Sequence, residues 1–90
     1  MATWDEEKRR ANLRKHGLDF EGCEEIFDHP VVTREDDREG FGEQRFNLFG
    51  WLYGRVVRLT YTERGDEIHV ISLRRANRHE TRSYLEALSL

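Results

Sequence analysis

The sequence predicts an α+β fold in which two N-terminal helices and one C-terminal helix lie on a four-stranded antiparallel sheet. Three observations carry this. Residues 1–30 show helical patterning with stop signals, residues 31–74 alternate with a strand period between turn residues, and helical spacing returns after Asn77.

Thr3 and Glu6 have capping-box spacing, no breaker interrupts Trp4 to His16, and Gly17 supplies a stop, which defines the first helix. Only Trp4, Ala11 and Leu13 are apolar in it. Lys8, Asn12, Lys15 and His16 recur at helical spacing and share one wholly polar face. Asp19 is placed to cap a second, shorter helix whose stripe is Phe20, Cys23, Ile26 and Phe27, and Pro30 ends it.

Four strands follow: VVTRE (31–35), QRFNLFGWLY (44–53), RVVRLTYT (55–62) and EIHVISLR (67–74). The polar stretch DDREGFGE (36–43) reads as a loop, Gly54 as the start of a turn, ERGD (63–66) as a tight hairpin, and Gly50 as a candidate bulge. Short connections imply an antiparallel meander. Under strict alternation, Val57, Leu59 and Ile71 are expected on the helix-covered face, and the opposite face is left open. Asn77 is placed to cap the last helix with Glu80 three residues on, and Thr81, Tyr84, Leu85 and Leu88 form its expected buried stripe.

Ninety residues suffice for one domain, expected to span residues 1–90. Cys23 is the only cysteine, which excludes an internal disulfide and fits a reducing, cytoplasmic compartment. No apolar run approaches a membrane span, and MATWDEEKRR lacks the apolar core of a signal peptide. In HETRS (79–83) Ser83 stands where a helical metal motif needs its second histidine, so neither a metal nor another cofactor is expected. The net charge of −3 conceals a gradient: residues 1–43 carry 7 Lys/Arg against 13 Asp/Glu, and residues 44–90 carry 8 Arg against 5. A basic half on an acidic chain permits a local anion site.

Arg45, Arg58 and Arg74 are candidates to converge on the open sheet face, where guanidinium forks suit phosphate; the competing reading is a solvated face paired with Glu43, Glu63 or Asp66. Lys8, Asn12, Lys15 and His16 form a second polar cluster, against the reading of an ordinary exposed helix face. His79 and Glu80 open the last helix beside Arg74, Arg75 and Arg78. Histidine moves protons near neutral pH, and Glu80 either caps the helix, orients an arginine or acts as a base if its pKa is raised. Trp51 and Tyr84 also fit plain core. A DNA-reading helix-turn-helix is disfavoured because its second helix would carry Glu21, Glu24, Glu25 and Asp28.

The runs WDEEKRRANLRKHGLDFEGCEEIFDHP, GEQRFNLFG, RVVRLTYTERGD and IHVISLRRANRHETRSYLE together closely resemble the BrnT family of type II toxin-antitoxin toxins. The resemblance extends from Trp4 to about Leu85. It implies a RelE-like fold, RNA cleavage that arrests translation, and neutralisation by a BrnA-like antitoxin whose ribbon-helix-helix part binds operator DNA. Positions matching the family's polar pattern are Lys8, Asn12, Lys15, His16, Arg45, Arg74, Arg75, Glu80 and Tyr84. Two positions depart from it: His69 stands where a basic residue is usual, and Leu73 where a small one is. An initial strand is expected to be absent or reduced.

The leading expectation is metal-independent attack of the 2′-hydroxyl on the adjacent phosphate. Lys15, His16, Arg45, Arg74 and Glu80 are its catalytic candidates, and Lys8, Asn12, Arg58, Arg75, His79 and Tyr84 its RNA-binding ones. The alternatives are a non-catalytic RNA- or protein-binding module and a degenerate toxin that retains only antitoxin binding.

Overall fold

The computed structural model describes residues 1–36 and 42–89, so most of the predicted 36–43 loop lies outside the described residues. The elements are β1 (Ala2–Trp4), α1 (Glu6–His16), a 3-10 helix (Cys23–Asp28), β2 (Val32–Asp36), β3 (Arg45–Leu52), β4 (Arg55–Arg64), β5 (Glu67–Arg75) and α2 (Arg78–Leu88). The strands form one five-stranded sheet in the order β1-β5-β4-β3-β2. It is mixed, because β1 runs parallel to β5 while the other pairs are antiparallel.

This corrects the expected two N-terminal helices and four-stranded antiparallel sheet. Asp5, not Thr3, caps α1, its carboxylate accepting from the Glu7 and Lys8 amides. That frees Ala2–Trp4 to pair with Ile68–Val70 and cover the edge of β5. Trp4 then packs edge-on against Phe20. The second helix shrinks to the 3-10 segment. Asp19 receives the Glu21 amide and the Arg9 guanidinium, and Gly22, at φ +86°, turns the chain before Cys23. Phe27, expected in the buried stripe, is exposed.

The core lies under one sheet face, where Phe20, Cys23 and Ile26 meet Leu48, Leu52, Val57, Leu59, Val70 and Leu73. Gly50 is no bulge: register runs unbroken through Phe49, Gly50 and Trp51. A Cβ there would meet Ile26 Cγ1 at 2.7 Å, so glycine permits close approach of the 3-10 segment. The irregularity falls instead in β5, where Thr60 faces Ser72 and Tyr61 faces Val70, leaving Ile71 as the extra residue. Val70 and Leu73 therefore both enter the core, and Ile71 does not take the place that alternation predicts.

The other sheet face is not wholly open. α2 lies over its β2–β3 side, where the Tyr84 hydroxyl donates to the Pro30 carbonyl at 2.7 Å. This contact and the Arg74–Glu80 pair set the rotation of α2, burying Tyr84 and turning Leu85 and Leu88 outward, contrary to the predicted stripe. No helix among the described residues is long and apolar enough to cross a membrane.

Candidate active site

The register aligns three cross-strand rows on the face opposite the core. Val32, Phe49, Arg58 and Arg74 form the first, and Arg34, Asn47, Thr60 and Ser72 the second. In the third, Asp36 faces Arg45 and Thr62 faces His69. The β5 bulge is what brings His69 to the same face as Ser72 and Arg74. Without it, alternation would send His69 to the core side.

Arg58 and Arg74 are cross-strand neighbours, and a carboxylate offsets their like charge. Glu80 accepts from Arg74 through both oxygens, Oε1 from Nη1 at 2.8 Å and Oε2 from Nη2 at 2.9 Å. The same Oε1 accepts from the Asn77 amide, while Asn77 Oδ1 accepts from the Glu80 amide, which completes the capping box of α2. The Arg74 guanidinium, with the Asn77 amide and the charge of Arg58, holds the Glu80 carboxyl below the usual carboxylate range. Glu80 is therefore ionised, capping and orienting, and lacks the raised pKa that a base needs at neutral pH.

α1 reaches this region by an unusual contact. Asn12 is its one buried residue, and its amide donates to the Leu18 and Leu73 carbonyls and accepts from the Leu73 amide. β1 covers β5 only as far as Val70, so the Asn12 side chain continues the pairing at Leu73. Thus the polar helix face is the packed one. It sets Lys8, Lys15 and His16 along a groove completed by Ile71 and Ser72. Burial first, then the charges of Lys15, Arg74 and Arg58, push the His16 imidazole below its ordinary value. Both causes disfavour the imidazolium, in opposition to the pull of the helix C-terminus.

The structure thus gathers Lys15, His16, Arg58, Arg74 and Glu80 around one end of the sheet, while Lys8 lies two turns back along α1, near enough to His69 to bear on its charge. Arg45 stands apart, four residues along β3 from Phe49, about 13 Å at ordinary strand rise. Arg75 follows Arg74 onto the opposite sheet face, opposite Val57. His79 and Tyr84 line a cavity beyond Glu80, and Tyr84 is buried. Asn12 serves the backbone.

Sequence reasoning did not single out Ser72, Thr60 or Asn47 for the site. Thr60 shares the spacing of Arg58 and donates to Asn47 Oδ1 at 2.7 Å, a signal that alternation contained. His69 meets Thr3, its Nδ1 3.0 Å from Oγ1. Burial raises the Cys23 thiol to about 11, which removes it as a nucleophile. Among the described residues, no group of three or more His, Cys, Asp or Glu is placed to hold a metal ion.

In comparison with known families, the model of the ribonuclease toxin BrnT of type II toxin-antitoxin systems matches residues 4–80. The chain belongs to the BrnT family. It is therefore a ribonuclease toxin whose system includes an antitoxin. No curated protein matches the chain. The BrnT match runs from the end of β1 to Glu80, so it takes in both the His16 groove and the Arg74–Glu80 pair.

Proposed function

We propose that this BrnT protein is a single-domain, cytoplasmic endoribonuclease that cleaves RNA without a metal ion and thereby inhibits translation. One observation carries the reading: Lys15 and His16 line the α1 groove beside Ser72, within reach of the charges of Arg58 and Arg74, while two hydrogen bonds to Glu80 fix the fork of Arg74. His16 accepts the proton of the 2′-hydroxyl. The 2′-oxygen then bonds to phosphorus, the bond from phosphorus to the 5′-oxygen breaks, and solvent protonates the leaving oxygen. The products are a 2′,3′-cyclic phosphate and a 5′-hydroxyl.

Arg74 and Arg58 stabilise charge developing on the phosphate oxygens, the positive charge that a metal would otherwise supply. Lys15 and Lys8 hold the backbone along the α1 groove. Glu80 is a positioning residue that acts through Arg74. Arg45 contacts a phosphate farther along the strand, and His79 lies at the margin of the bound RNA, while Arg75, on the opposite sheet face, is left out of this reading.

The proposed partner is a BrnA-like antitoxin with a ribbon-helix-helix domain, through which alone the toxin reaches operator DNA. An acidic segment of that antitoxin covers Arg58 and Arg74, since opposite charge is the direct means of closing a cationic site. A complex that leaves both arginines open to solvent contradicts this. Purified protein incubated with RNA and excess chelator tests the activity. Scission with a 2′,3′-cyclic phosphate end is expected; salt-sensitive binding without scission would make it a binding module instead.

A further inference from the structure

Beside the Arg74–Glu80 pair lies a cavity of about 200 Å³ between α2 and the β2–β3 side of the sheet. Val32, Phe49 and Tyr84 form its apolar walls, Ser83 and His79 are on the helix side, and Arg34 on the strand side. Glu80 belongs both to this lining and to the Arg74 pair, so the cavity and the cationic end of the sheet share a wall. Its volume lies below the roughly 300–1,000 Å³ typical of drug-sized ligand sites, which suits one flat heteroaromatic ring system.

The first cross-strand row gives the cavity its meaning. Along Val32, Phe49, Arg58 and Arg74 the side chains pass from apolar through aromatic to cationic on one face. At the ordinary spacing between strands, Arg58 stands about 5 Å and Arg74 about 10 Å from Phe49. That order suits a nucleotide: base on the aromatic, phosphates on the arginines. We infer that the cavity is a nucleobase pocket, in which an unpaired base next to the cleaved phosphate stacks on Phe49 while Arg34 reads its edge. The inference rests on the RNA-cleaving function proposed above. Arg34 is exposed at the rim and offers only donors, so the pocket favours guanine, whose O6 and N7 accept together from an arginine fork.

The test uses the full chain and an uncleavable 2′-O-methyl RNA oligonucleotide with 2-aminopurine at successive positions, so that occupancy is read without catalysis. Fluorescence is expected to be quenched at one position, and Phe49→Leu should remove that quench with roughly tenfold weaker binding, while a thermal melt confirms folding. Guanine at that position should bind more tightly than the other bases in the parent and equally in Arg34→Ala. Binding with no position quenched, or a quench unchanged in Phe49→Leu, overturns the inference and leaves the cavity to a protein side chain. Equal binding of all four bases by the parent overturns the role of Arg34. A parent protein that does not bind the oligonucleotide removes the RNA reading itself, a result distinct from binding without a quench.

Discussion

Arg74 and Glu80 are joined by two parallel hydrogen bonds of 2.8 and 2.9 Å, and the same carboxylate caps α2, so one ion pair ties the last strand to the last helix. The fork of Arg74 is held in place before any substrate arrives. Removing a preorganised donor of this kind typically costs on the order of a hundredfold in rate. Arg74→Ala should lose about that much RNA cleavage and the growth arrest on induced expression. Arg74→Lys should recover little, because an ammonium cannot span both oxygens of Glu80.

For Glu80 the sign of the pH effect is decisive. Its carboxyl is held low in the folded protein, so the folded state binds fewer protons than the unfolded one across the acidic range. Its stabilisation is thus present above the unfolded carboxyl value and lost as pH falls through the folded one. Glu80→Gln should lower unfolding free energy by about 1–3 kcal/mol at pH 7, and the difference should vanish in acid. Its pH–rate profile should keep the parent's shape at a lower plateau; a lost limb would make Glu80 the proton carrier.

His16 predicts a different profile. Because burial and the charges of Lys15, Arg74 and Arg58 depress its pKa, the acidic limb of kcat/KM should fall below the ordinary histidine value of about 6.5. Arg58→Ala removes one of those charges, so the limb should move to higher pH as the rate falls. His16→Asn should abolish the limb. Cleavage rates measured across the pH range check all three.

Asn12 predicts a stability loss without a catalytic signature. Asn12→Ala leaves the Leu73 amide and carbonyl without their buried partner and should cost about 2–3 kcal/mol in a denaturant titration. Cleavage by the remaining folded fraction should retain the parent's pH dependence. A full loss of activity without loss of stability would place Asn12 on the RNA instead.

At Gly50 the prediction is steric. A methyl group there would meet Ile26 Cγ1 at 2.7 Å, so Gly50→Ala should destabilise by about 1–3 kcal/mol. Adding Ile26→Ala removes the obstructing atoms, and the double variant should be more stable than the sum of the two losses implies. Melting the two single variants and the pair closes the cycle.

Much of this protein was legible in its sequence because local rules govern the features concerned. The β3–β4–β5 meander, the Asn77 capping box and the proximity of Arg58 to Arg74 all follow from spacing along a helix or strand. The motif runs from Trp4 to about Leu85 pointed to the BrnT family by the same route, and the family comparison shows it over residues 4–80. Tertiary structure decided what depends on elements distant in the chain. Asp5 displaced Thr3 as cap because Ala2–Trp4 found the edge of β5, more than sixty residues away. Alternation carries no mark of the extra residue Ile71, yet that residue sends Val70 and Leu73 to the core and His69 to the face of Arg74. Asn12 read as an RNA-binding candidate on a polar helix face, and only the strand edge at Leu73 supplied its backbone partners. Sequence supplied the charges and their periods, and long-range pairing chose which of them meet, because buried backbone groups must be satisfied wherever the fold leaves them.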